Sequence, residues 1–253
     1  MAFELLTSVK ERLIELLFPV KCVVCEKETE QKRKNKFICT SCLKNLSPSL
    51  NFYCPLCEAR TADAKLCFSC RALRSLGEGG QDHFYLDRLL YPFPYQDFKI
   101  QKVVKAFKYR FIKELEIPLG RLMVSYLEKI KNKIDLNDST LVPVPLHKRK
   151  FNSRGYNQSE LIAQQLSKFL NFRVANNCLI KNKATKDQAS LKNEQRTKNI
   201  KGVFKCAEPE QMREKRILLV DDVYTTGTTM NECARVLKDE GAKEVIGLTI
   251  ARG

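Results

Sequence analysis

The sequence predicts an α/β protein, a parallel-sheet domain preceded by a small cysteine-rich module. Three observations carry this. Residues 22–70 hold four C-x2-C pairs and few long apolar runs. Residues 75–81, Ser-Leu-Gly-Glu-Gly-Gly-Gln, read as a linker, because glycine keeps the backbone entropy high. Beyond it an apolar strand, a helix and a second apolar strand follow one another over 217–250, the order that builds a parallel sheet.

Composition bounds the reading. The chain has 253 residues, 43% of them apolar, enough for a sizeable core and against wholesale disorder. No stretch reaches about 18 uncharged apolar residues, so no transmembrane segment is expected. The first residues mix Glu4, Lys10, Glu11 and Arg12 into the apolar run, unlike a secretory signal. A cytoplasmic location follows, with peripheral placement at the inner face of the membrane left open. There, cysteines are reduced or metal-bound rather than paired as disulfides. The formal charge is +16, and residues 141–215 alone carry net +10. Such a balance points to polyanionic or phosphorylated partners, although basic runs also simply coat a solvated face.

Taken in order, residues 1–18 place Phe3, Leu6, Val9, Leu13 and Leu17 on one stripe of an amphipathic helix. The cysteine module spans 19–74 and the linker 75–81; the sheet domain spans 82–253. Residues 84–95 look strand-like, with Pro92 and Pro94 limiting pairing. Helices are expected over 98–108 and 114–131, then a short strand at Leu141–Pro145 and a helix over 156–170. Residues 181–201 have few apolar anchors and read as a loop. Ile217–Val220 is an apolar strand of the kind a buried parallel sheet needs. A helix over 228–240 stops at Gly241, and Val245–Ile250 is the last strand.

The cysteine pairs are Cys22/Cys25, Cys39/Cys42, Cys54/Cys57 and Cys67/Cys70. A C-x2-C turn points both sulfurs at one point, and two such turns supply the tetrahedral thiolate set of a closed structural zinc site. Two structural Zn²⁺ sites are expected, paired either sequentially or as an interleaved cross-brace. Eight thiolates around two divalent ions lower the formal charge by about 4, which leaves residues 1–80 close to neutral. Cys178, Cys206 and Cys233 are read as small buried apolar residues. His83 and His147 are isolated and receive no catalytic role.

The sharpest motif runs from Ile217 to Thr229. An apolar strand delivers Asp221 and Asp222 to the carboxyl edge of the sheet, where α/β ligands bind. Thr225, Thr226, Gly227, Thr228 and Thr229 then open a helix whose backbone N–H groups can surround a phosphate. Carboxylates repel phosphate, so the acidic pair must face something else, and vicinal sugar hydroxyls suit it. A 5-phosphorylated ribose presents both groups. The G-x-x-x-x-G-K-[ST] pattern of nucleotide P-loops is absent.

This stretch resembles the 13-residue ribose-phosphate loop of type I phosphoribosyltransferases. The resemblance implies that Asp221 and Asp222 hold the ribose hydroxyls and orient the ribose in catalysis. It implies that residues 225–229 hold the 5-phosphate, and that Mg²⁺ bridges phosphoribosyl pyrophosphate to the site. The segment Pro143–Gln158 occupies the position of that fold's pyrophosphate loop, which gives Lys148, Arg149, Arg154 and Gly155 to the leaving group. Its Arg154-Gly155-Tyr156-Asn157-Gln158 run is similar to the ComF competence family, as are Gln188, Leu191, Arg196 and Asn199 and the N-terminal cysteine module. That resemblance implies a protein handling incoming single-stranded DNA in natural transformation, with a helicase-like ATPase as partner. Phe107, Tyr109, Phe151 and Tyr156 lie near basic groups where bases could stack. The alternative is an active phosphoribosyltransferase on an unidentified acceptor.

Overall fold

A computed structural model describes residues 19–29, 37–76, 84–183 and 200–253, with the backbone alone for 73–76. The expected helix over 1–18, most of the 75–81 linker, His83, and Gln188, Leu191, Arg196 and Asn199 lie outside the described residues.

In chain order the cysteine region holds α1 (Thr40–Lys44), the hairpin strands β1 (Phe52–Tyr53) and β2 (Arg60–Thr61), and α2 (Phe68–Leu76). The sheet domain opens with two short strands, β3 (Arg88–Leu90) and β4 (Phe93–Pro94), which Pro92 separates. Helix α3 (Phe98–Tyr109) follows, then α4 (Glu116–Ile130) after a 3₁₀ turn, β5 (Ser139–Pro143), α5 (Lys148–Arg154) and α6 (Gln158–Leu170). The remainder is β6 (Arg173–Val174), β7 (Leu179–Lys181), β8 (Phe204–Cys206), β9 (Arg216–Tyr224), α7 (Thr228–Asp239) and β10 (Glu244–Arg252).

Local chemistry sets these elements. Asp97 caps α3, its Oδ1 accepting from Lys99 N at 2.8 Å, and Ile100, Val103, Val104 and Phe107 make the buried face. Asn157 caps α6, and Asn171 ends it in the left-handed conformation at φ 53°. Helices α4 and α6 approach closely at Gly120, where a Cβ would fall 2.5 Å from Gln165 Cβ.

The sheet runs β3-β10-β9-β5-β6, all parallel, with β4 also paired to β10. Alternate residues of β9 feed two cores, as a period of two requires. Leu218 and Val220 pack with α3, α4 and α6, while Ile217 and Leu219 pack with α7 and the β7–β8 hairpin. Each such side chain, fully buried, stabilises by about 1.5–3 kcal/mol. The cysteine region joins both cores: Val23, Val24, Ile38, Leu46 and Phe52 lie on the α3 face, and Leu66 on the α7 face. At the amino ends of the strands Glu244 accepts from Arg216 Nε at 2.7 Å and Arg88 Nε at 2.8 Å, tying β9, β10 and β3 together. No helix among the described residues is long and apolar enough to cross a membrane.

Candidate phosphate site and metal centres

The carboxyl edge of the sheet carries the site. Strand β9 extends beyond the apolar run and stays paired with β10 as far as Tyr224 and Arg252, so Asp221 and Asp222 are strand residues. Thr225 and Thr226 are exposed, and Gly227 turns the chain at φ 74°, the region glycine adopts without strain. Helix α7 begins at Thr228, and its cap residue Gly227 makes no side-chain hydrogen bond. Thr226 Oγ1 and Thr228 Oγ1 lie 3.0 Å apart across the turn. Thr229 is half-buried in the first turn of the helix.

The acidic pair is held by residues that sequence reading did not single out. Asp222 is buried, and its Oδ1 accepts from Lys108 Nζ at 2.9 Å. Asp221 Oδ1 accepts from Ser159 Oγ at 2.9 Å and from Asp222 N at 2.8 Å. Burial, then the Asp222 charge, raises the Asp221 carboxyl to about 6 against the opposing pull of Lys108. Burial lowers Lys108, but the two aspartates outweigh it and hold the ammonium above its ordinary range. Lys108 is one of 45 basic residues, and nothing local in the sequence distinguishes it. Ser159 follows directly on the Arg154–Gln158 run and could have been reached by extending that motif one residue.

The expected pyrophosphate loop is in part the short helix α5. His147 caps it, with Nδ1 accepting from Arg149 N at 3.2 Å. Lys148 and Arg149 are exposed, and among the described residues no hydrogen bond or ion pair joins their side chains to the acidic pair or the threonine loop. Arg154 donates to Gln158 Oε1 at 3.1 Å and lies 5.8 Å from the Tyr109 ring centroid. Gly155 sits at φ 76° with open space around it. Of the four aromatics, Tyr109 and Phe151 are exposed, whereas Phe107 and Tyr156 are buried and stack on each other at 5.8 Å. The Tyr156 hydroxyl donates to Phe107 O at 2.6 Å, so these two belong to the core and are not available to bases.

The eight cysteines gather in sequential pairs: Cys22, Cys25, Cys39 and Cys42 in one group, Cys54, Cys57, Cys67 and Cys70 in the other. Within each group all sulfurs lie within 4.8 Å of one another. A thiolate tetrahedron with Zn–S bonds of about 2.3 Å has edges of about 3.8 Å. Cys25 Sγ and Cys39 Sγ stand 3.8 Å apart, and Cys57 Sγ and Cys67 Sγ 3.5 Å, so the residues fit zinc. Burial raises the Cys22 and Cys54 thiols, but surrounding backbone amides outweigh it and bring both down to about 7, while burial and the neighbouring sulfurs hold Cys42 and Cys70 well above the ordinary thiol range. Cys178 and Cys233 are buried as expected, and Cys206 is half-buried.

Comparison with known proteins agrees with this layout. Residues 153–253 match the phosphoribosyl transferase domain model, and residues 13–71 match the double zinc ribbon domain model. The chain is thus a double zinc ribbon joined to a parallel-sheet, phosphoribosyltransferase-type domain. It is 28% identical to competence protein F of Haemophilus influenzae over 85% of this chain and 97% of that protein. It is 25% identical to competence protein ComFC of Bacillus subtilis over 91% and 94%. DNA utilization protein YhgH of Escherichia coli is 31% identical over 58% of this chain and 64% of that one. Over most of its length the chain is thus similar to ComF-type competence proteins.

Proposed function

We propose that this protein handles incoming single-stranded DNA in natural transformation, and that its sheet edge binds phosphoribosyl pyrophosphate with Mg²⁺. The observation that carries the ligand reading is the junction of β9 and α7. Two carboxylates stand near the carboxyl end of the strand, and the turn at Gly227 then leads into a 12-residue helix. Asp221 and Asp222 take the ribose hydroxyls, residues 225–229 take the 5-phosphate, and Mg²⁺ enters with the pyrophosphate. Lys148, Arg149, Arg154 and Gly155 take the pyrophosphate. The DNA reading is supported by the names of the relatives, by net +10 over residues 141–215, by exposed Tyr109 beside Arg154, and by exposed Phe111 and Phe151. Exposed rings and guanidinium groups of this kind stack on bases and neutralise backbone phosphates. A helicase-like ATPase is the partner this role calls for.

One paired experiment tests both halves. Titration calorimetry with phosphoribosyl pyrophosphate and Mg²⁺ should show Asp222→Asn weakened at least about tenfold, about 1.4 kcal/mol. Equal affinity contradicts the ribose contact. In parallel, neutralising Lys148, Arg149 and Lys150 should lower single-strand affinity and flatten the log–log salt slope by about 2. An unchanged slope counts against the DNA path.

A further inference from the structure

The second cysteine group is wired to the phosphate loop. Its knuckle begins Cys54-Pro55, and both backbone carbonyls are satisfied from the sheet. Cys54 O accepts from Arg252 Nη1 at 2.9 Å, and Pro55 O accepts from Arg252 Nη2 at 3.1 Å. Pro55 O also accepts from the Tyr224 hydroxyl at 3.2 Å, a buried contact between residues 169 apart in sequence. Arg252, the last residue of β10, is 5% exposed, and its guanidinium lies 5.3 Å from the Tyr224 ring centroid and 5.8 Å from that of Tyr91.

Tyr224 is the last residue of β9, directly before Thr225. Its hydroxyl end also sits beneath the turn: a Cβ added to Gly227 would fall 2.1 Å from Tyr224 Oη. One buried ring therefore touches the zinc knuckle and supports the glycine on which the loop reverses. Burial raises the phenol to about 12, so it remains a protonated donor to Pro55 O.

We propose that Tyr224 and Arg252 are positioning residues that couple the second cysteine group to the phosphate loop. Through them Zn²⁺ on Cys54, Cys57, Cys67 and Cys70 and a phosphate at residues 225–229 stabilise each other. This rests on the phosphate-site reading above. The physical reason is the rigidity of the anion site, whose amides bind only when held in place. A zinc-closed knuckle fixes Cys54 O and Pro55 O, and those two oxygens fix Arg252 and Tyr224. If the knuckle opens, two buried donors lose their acceptors, and the ring is free to shift against Gly227. Coupling free energies are reciprocal, so a phosphate in the loop must also protect the knuckle. The first cysteine group is an internal control. Its backbone is held from α3, with Lys102 Nζ donating to Val24 O at 2.8 Å, and among the described residues no hydrogen bond joins it to the β9–α7 loop.

The test is site-resolved thiol alkylation of the full-length zinc-loaded protein in the presence of a chelator, read by peptide mass mapping. It is run with and without phosphoribosyl pyrophosphate plus Mg²⁺, and with inorganic phosphate as a second probe. Calorimetry on the same samples establishes occupancy. Ligand should slow modification of Cys57 and Cys67 about fivefold or more while leaving Cys25 and Cys39 within about twofold. Tyr224→Phe keeps the ring and removes the hydroxyl; it should erase that selectivity and weaken the ligand at least about threefold. Arg252→Lys, which keeps the charge but loses the two-carbonyl fork, should act in the same direction. Equal protection of both groups, no protection at saturation, or full selectivity in Tyr224→Phe overturns the coupling alone. No binding by the parent protein overturns the phosphate-site reading and the coupling with it.

Discussion

The two zinc knuckles are close copies placed in different company. In each, the residue after the second cysteine is a glutamate in the left-handed region, Glu26 at φ 63° and Glu58 at φ 62°. In each, the first cysteine's amide donates across the turn, Cys22 N to Lys27 O at 2.9 Å and Cys54 N to Ala59 O at 2.7 Å. The surroundings then diverge. The first knuckle meets α3 through Lys102, which also pairs with exposed Glu26 at 3.1 Å. The second meets the ends of β9 and β10 through the buried Tyr224 and Arg252, and Arg252 likewise pairs with exposed Glu58 at 3.3 Å. The same local fold thus serves as a surface clasp on one side of the sheet and as a footing for the β9–α7 turn on the other. The difference lies in what the neighbouring strands present.

The largest effect that can break this comparison is loss of a ligand cysteine. Structural zinc contributes roughly 10–16 kcal/mol to small zinc modules, so Cys25→Ser and Cys57→Ser should each lose one metal and open one knuckle. Elemental analysis should give two zinc ions per chain in the parent and one in each variant. A folded parent without zinc would remove the metal reading altogether. The two variants should part at the phosphate loop, with phosphoribosyl pyrophosphate affinity falling only in Cys57→Ser.

A milder contrast compares the two basic residues that hold the knuckles. Arg252→Met leaves Cys54 O without its side-chain donor and Pro55 O with the Tyr224 hydroxyl alone, in a buried position, which costs about 1–3 kcal/mol. Lys102→Met removes the hydrogen bond to Val24 O and the ion pair with Glu26, but from an exposed side chain whose place water can take, and should cost about 1 kcal/mol or less. Urea midpoints of the two variants measure the difference; similar losses would show that the knuckles are docked alike.

Much of this arrangement is legible in the sequence, and the limits have physical causes. The C-x2-C spacing announces two four-sulfur groups, and Ile217–Val220 announces a buried parallel strand. The expected stop at Gly241 is met at φ 84°. The end of β9 is hidden because the apolar run stops at Val220, whereas the ladder with β10 continues through the two aspartates to Tyr224. Hydrogen-bond register does not depend on side-chain polarity. Helix α5 is hidden for a related reason: Lys148–Arg154 buries no side chain, so it has no apolar stripe to detect. Lys108, Arg252 and the Tyr224–Pro55 contact are invisible for a third reason. They join residues far apart in sequence, and a lone Lys, Arg or Tyr carries no signal of its partner.

The smallest effect sharpens the point where the two sides of the sheet meet. Lys108 comes from α3, on which the first knuckle rests, and Asp222 from β9, which leads to the second. Asp221 lies beside that ion pair. Its carboxyl is raised in the folded state from 3.8 to about 6, so the folded protein holds this proton more tightly than the unfolded chain does. Its contribution to stability is then fully present below pH about 4 and is lost as pH rises through about 6. Asp221→Asn cannot ionise and escapes that loss. The variant should therefore gain stability relative to the parent between pH 5 and pH 7.5, as urea midpoints at the two values will show. Comparing variant with parent cancels the pH dependence of zinc retention, which both share. An equal difference at the two pH values would mean that Lys108 and Ser159 already satisfy the ionised carboxylate. The acidic pair would then stand fully charged, as the proposed ribose contact requires, before any ligand arrives.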